Sequence, residues 1–125
     1  MRKTEEKRKF IRLEAPVEFK YIIDGESTRK GATTKNLSCE GLRFMSDSPV
    51  GEGAGLELKL NIPGMRNPVH MAGKAVWSKK ISKNNGAPFD VGVEFTKIEE
   101  DNKNTFLKYL CDLIYKQAGK TKRGA

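Results

Sequence analysis

Arg8 and Arg12 stand four residues apart near the head of the chain, with Lys7 just before them, and Asn36, Ser38 and Gly41 follow in an N-x-S-x-x-G spacing. An arginine guanidinium is a planar fork of donors that grips a phosphate through two hydrogen bonds, takes the O6/N7 edge of guanine, or stacks on a base. Two such forks at this spacing suit a clamp on one compact anion. Asparagine and serine add short hydrogen-bonding groups, and glycine lets a ligand or a neighbouring backbone come close. Each motif also has a plainer reading: a solvated basic arm among the chain's seven arginines, and an Asx-type turn. Bond-making chemistry finds little support. His70 is the only histidine, and no nucleophile and base pair, zinc spacing or G-x-x-x-x-G-K phosphate loop is present. Gly51-Glu52-Gly53-Ala54-Gly55 precedes a strand pattern rather than a helix start, so it reads as a flexible connection. Glu99, Glu100 and Asp101 read as partners of a helix dipole. The residues point to binding, with no catalysis, cofactor or metal.

Charge placement narrows the partner. The 125 residues carry a net charge of +8. Residues 1–12 hold six basic residues against two acids, and residues 116–125 hold four basic residues and no acid. Residues 13–115 carry fourteen charges of each sign and are balanced. A nucleic-acid binder spreads its basic footprint over a face of the folded body, whereas here the excess sits in two arms, which favours a local anion site over a long phosphate track. No stretch approaches the about 20 consecutive apolar residues of a membrane span, and no apolar run follows the charged start as in a signal peptide. A cytosolic protein is expected, with Cys39 and Cys111 as free thiols.

The elements that would position these groups follow from periodicity. Val17, Phe19, Tyr21 and Ile23 alternate as a half-buried strand, and Asp24-Gly25 signals a turn. A second strand is expected from about Thr28 to Thr34, with the Asn36–Gly41 segment at a strand junction before Leu42–Met45. Leu56–Ile62 alternates cleanly. Val69–Lys79 reads as a longer strand in which Gly73 marks a bend or a close approach. Phe89, Val91, Val93 and Phe95 alternate in the last strand, with Gly92 on the opposite parity, where it suits a covering group. Phe106, Leu110, Leu113 and Ile114 recur at helical spacing over about 99–118, and Gly119 offers a stop. The fold expected is mainly β: a six-stranded antiparallel barrel with a C-terminal helix. Its parts are a basic arm over 1–12, the barrel and helix over 13–118, and a disordered basic tail over 119–125.

The order of these features, R-x-x-x-R before the first strand, N-x-S-x-x-G after the second, then a barrel and a helix, resembles the PilZ domain family. The likeness runs from about Lys7 to Tyr115 and includes the Ala75-Val76-Trp77 and Val91-Gly92-Val93-Glu94-Phe95 strands. It implies a bacterial receptor for the second messenger cyclic di-GMP that changes conformation on binding and signals to a downstream effector protein in motility, biofilm or polysaccharide control. Carried over by position, Arg8 and Arg12 would hold phosphates and guanines on an arm that folds over the ligand. Asn36 and Ser38 would make polar contacts on the barrel, and Gly41 would leave room. Lys7 and Trp77 are further candidates. The family often has arginine where Lys7 stands, and lysine keeps the charge without the planar fork, so one ligand molecule and a stacked pair both stay open. Trp77 has two readings, an indole stacking on a guanine and a cap on the barrel core. Two rival functions remain: a ligand-free PilZ-like structural adaptor, and a basic barrel binding RNA or single-stranded DNA.

Overall fold

The computed structural model describes residues 13–81 and 88–124, with the backbone alone over 118–124. Arg8, Arg12 and Lys7 lie outside the described residues. The described chain forms β1 (Leu13–Glu14), β2 (Glu18–Ile23), β3 (Lys30–Leu37), β4 (Gly41–Ser46), β5 (Gly55–Leu60), β6 (Val69–Lys80), β7 (Phe89–Ile98) and helix α1 (Glu100–Gly124). The strands pair antiparallel in the order β3-β2-β5-β6-β7-β4, and β4 pairs back onto β3. The result is a closed six-stranded barrel, as the alternation predicts, and closure leaves the ring without free edges.

β1 continues the line of β2 along β3. Leu13 and Glu14 pair with Leu37 and Asn36, while Glu18 to Tyr21 pair with Thr33 to Lys30. The line breaks at Ala15-Pro16-Val17 because Pro16 has no N–H to offer a ladder. Thr34 repairs the break from the facing strand: its hydroxyl accepts from Val17 N at 2.9 Å and donates to the Ala15 carbonyl.

Alternation fills the interior. Phe19, Tyr21 and Phe44 are buried side by side, with Phe19 and Phe44 edge to face at 5.1 Å. The Tyr21 hydroxyl meets Ser46 Oγ at 3.1 Å, so the ring is buried with its polar end satisfied. Helix α1 opens on Glu100 and Asp101 at the positive end of its dipole and buries Phe106 and Leu110 on the barrel. Phe106 stands edge to face on Phe95 at 5.6 Å.

Several boundaries moved. β3 starts at Lys30 and runs to Leu37, three residues past the expected end, because β1 and β4 both pair with its tail. β5 stops at Leu60, although Ile62 is still buried. The helix continues through Gly119 to Gly124, where the sequence predicts a stop. One glycine inside a helix costs only about 1 kcal/mol relative to alanine, too little to end it.

Candidate functional site

The Asn36–Gly41 segment forms the tight β3–β4 connection. Ser38 N donates to the Gly41 carbonyl at 2.9 Å, and the Ser38 hydroxyl accepts from the amides of Glu40 and Gly41 at 3.2 Å each. Ser38 is buried, and its oxygen is committed to this turn in the manner of serine turns generally. A Cβ on Gly41 would sit on the Val93 carbonyl oxygen. The room assigned to Gly41 is thus filled by the β7 backbone, which approaches close enough for Phe95 N to reach the Glu40 carbonyl at 2.8 Å. Burial and the charge of Glu40 push the neighbouring Cys39 thiol up, away from the reactive thiolate.

Outward from the turn, four strands present one cross-strand row. Asn36 on β3 pairs with Arg43 on β4, Arg43 with Gly92 on β7, and Gly92 with Trp77 on β6. Two bulges make the row. Parity counted from Ala32 and Thr34 would turn Asn36 inward, and parity counted from Met71, Gly73 and Ala75 would turn Trp77 inward. The register shift between Thr34 and Asn36 and the one between Ala75 and Trp77 bring both residues to the outer face. Trp77 therefore does not cap the core. Its indole lies against Gly92, where any Cβ would collide with the ring, so glycine at 92 seats the tryptophan.

Arg43 anchors the middle of the row. Its Nε and Nη2 donate to Asp90 Oδ1 and Oδ2 at 2.8 and 2.7 Å, and its guanidinium carbon stands 5.9 Å from the Trp77 ring centroid. This is a bidentate, charge-assisted pair with a cation over an indole face. Hydrogen bonds from Arg43 hold the Asp90 carboxyl below its ordinary range against the cost of burial, helped by the charges of Arg43, Lys35 and Lys79. The same bonds raise Arg43.

Of the residues expected at the site, Asn36 and Trp77 share this row, Ser38 and Gly41 shape the turn at its end, and Arg8, Arg12 and Lys7 lie outside the described residues. Leu13, to which the arm is joined, pairs with Leu37 beside Asn36. Arg43 and Gly92 complete the row and Asp90 anchors Arg43 beside it; parity marks Gly92 in the sequence, and none of the three belongs to the two motifs. Strand parity does turn Arg43 and Asp90 outward, since Leu42, Phe44 and Val91 point inward, but parity does not say which strands pair. Among the described residues no cluster suits a metal ion, and no helix is long and apolar enough to cross a membrane.

A closed six-stranded antiparallel barrel, capped by a C-terminal helix and carrying an N-x-S-x-x-G turn beside the strand that continues an N-terminal arm, defines a class of small β domains. The chain belongs to the PilZ domain family, whose pattern matches residues 6–111. Solved structures agree in fold. The PilZ domain of Escherichia coli YcgR with c-di-GMP superposes at a TM-score of 0.65 with 13% identity, covering 92% of this chain and 97% of that one. The Bacillus subtilis inhibitor of motility MotI/DgrA gives 0.70 with 16% identity over 90% of this chain, and K. pneumonia MrkH gives 0.69 with 16% identity over 88%. The chain spans about half of each of those two, 52% and 50%. No curated protein matches it by sequence.

Proposed function

We propose that this protein is a cyclic di-GMP receptor, an adaptor without catalytic activity that works in the bacterial cytosol and passes its ligand state to an effector protein. Arg8 and Arg12 clamp phosphates and guanine edges from the arm, with Lys7 adding charge. Asn36 supplies the polar contact on the barrel, Ser38 and Gly41 hold the turn that carries it, and Trp77 offers an indole face for a base. The observation that carries this reading is the outer row of Asn36, Arg43 and Trp77, which starts beside the Leu13–Leu37 pair where the arm joins the barrel. A ligand with two phosphates and two guanines matches arginine forks that face such a wall.

Isothermal titration with cyclic di-GMP tests it. The expected outcome is saturable binding that Arg8→Ala or Arg12→Ala weakens at least tenfold, since each lost charge-assisted contact is worth about 1.5 to 3 kcal/mol. The same titration reports whether one ligand or a stacked pair binds per chain. A folded wild-type protein that gives no heat with this ligand would favour the ligand-free adaptor instead.

A further inference from the structure

Helix α1 gives one face to the barrel and keeps a second, apolar face in solvent. Phe106 and Leu110 are buried, and Tyr109 and Leu113 pack partly against the core. On an adjoining side Leu107 and Ile114 are 38% and 39% exposed, Tyr115 is 81% exposed, and Cys111 lies exposed among them. At 3.6 residues per turn, positions 107, 111 and 114 fall on one strip along the helix, about a third of a turn round from the buried side, with Tyr115 at its outer edge. Their spacing of four then three is that of a coiled-coil seam, and Asn104 and position 118 extend it at both ends in step.

We propose that this face joins two copies of the chain, helix against helix and antiparallel. Charge fixes the orientation. The helix opens on Glu100 and Asp101, while the sequence over 116–123 holds four basic residues and no acid. Antiparallel packing sets each acidic start beside the other copy's basic end and opposes the two helix dipoles, whereas parallel packing stacks like on like. Placing the twofold axis at the middle of the exposed strip sets the register. A twofold axis at Cys111 places Leu107 of each copy against Tyr115 of the other, and the small cysteine allows the closest approach at the crossing. The seam is only about two heptads long, too short to hold together if the helix had to fold on associating. The barrel has already folded it, so association brings no nucleation cost. A seam this short makes dimerisation concentration-dependent. This inference does not rest on the ligand reading.

Light scattering on a dilution series of the full chain tests it. The expected mass rises from the monomer's 14.0 kDa towards twice that value with concentration, and Leu107→Glu with Tyr115→Glu returns it to the monomer while circular dichroism stays unchanged. A short bis-maleimide joins two Cys111 thiols in the Cys39→Ser protein. With Cys39 and Cys111 both replaced by serine, a mixture of Leu107→Cys and Tyr115→Cys chains cross-links, and neither chain does so alone. Monomer mass at every concentration, which would leave the face to a different protein, overturns the proposal. So does a dimer that Leu107→Glu with Tyr115→Glu leaves intact, or cross-linking of Leu107→Cys chains with one another.

Discussion

Arg43 is held from two sides, by the Asp90 carboxylate and by the Trp77 ring, so its guanidinium has a fixed direction on the barrel's outer face before any ligand arrives. Such preorganisation lowers the ordering cost of binding. The ion pair also makes stability depend on pH with a definite sign. Asp90 is held below its unfolded pKa, so its contribution is complete above about 3.9, the ordinary aspartate value, and is lost as pH falls from there through the folded pKa. Arg43 keeps a third of its side chain in solvent, and screening limits the pair to about 1 to 2 kcal/mol. Asp90→Asn should therefore lower the urea unfolding free energy by that amount at pH 7, with the gap to wild type narrowing below pH about 4. A gap that is constant with pH would mean that the carboxylate charge contributes nothing. At Gly92 an alanine methyl has no space under the indole, and Gly92→Ala should displace Trp77 into water. As the only tryptophan, Trp77 reports this directly: its emission should move to longer wavelength. Of the site, the sequence made the two motifs legible because their spacing survives in one dimension. The Arg43–Asp90 pair was not legible, since its members lie 47 positions apart and meet only through β4–β7 register.

At the scale of elements, the alternation of Val17 to Ile23, Leu56 to Leu60 and Phe89 to Phe95 marked the strands, because a closed barrel with a packed interior demands period-two burial along each strand. The same rule failed at β3 and β6, where an inserted residue reverses the count and turns Asn36 and Trp77 outward. A bulge is invisible to parity because parity assumes that no residue is skipped. The break between β1 and β2 is the other local irregularity, and Thr34 holds it together. Thr34→Val keeps the side chain's shape but removes the acceptor for Val17 N and the donor to the Ala15 carbonyl. Ala15 and Val17 are buried, so the loss should cost about 1 to 3 kcal/mol, read as a lower denaturant midpoint at unchanged m value. Because β1 joins the arm to the barrel, the same variant should also weaken cyclic di-GMP binding while leaving the far side of the barrel unaltered. Amide exchange checks the localisation: protection should fall over Leu13 to Glu18 and Thr34 to Leu37, and stay constant in β5 and β6.

On the scale of the whole molecule, the separation of a balanced body from two basic ends distinguishes the proposed receptor from a nucleic-acid binder. A protein that tracks single-stranded phosphates loses affinity with salt at a log–log slope of about −0.7 per phosphate neutralised, so eight neutralised phosphates would give a slope near −6. Cyclic di-GMP carries two phosphates and is too short for a condensed counterion layer, so the slope for its binding should be no steeper than about −1.4. The barrel gives a polymer little more to hold. Its described outer row contains one arginine already neutralised by Asp90, and its aromatic share of 8% leaves few rings for a stacking platform. Titrations from about 50 to 200 mM salt should therefore show cyclic di-GMP affinity falling only a few-fold, because a shallow slope acts over little more than half a decade of concentration. A labelled single-stranded oligonucleotide in the same buffers should bind, if at all, only at the lowest salt, through the basic ends. Tight oligonucleotide binding with a steep slope would assign those ends to a polyanion and take the arginine pair away from the small ligand. A shallow slope that Arg8→Ala or Arg12→Ala flattens further, with oligonucleotide binding absent, is the result expected of two arginine forks acting on one compact dianion.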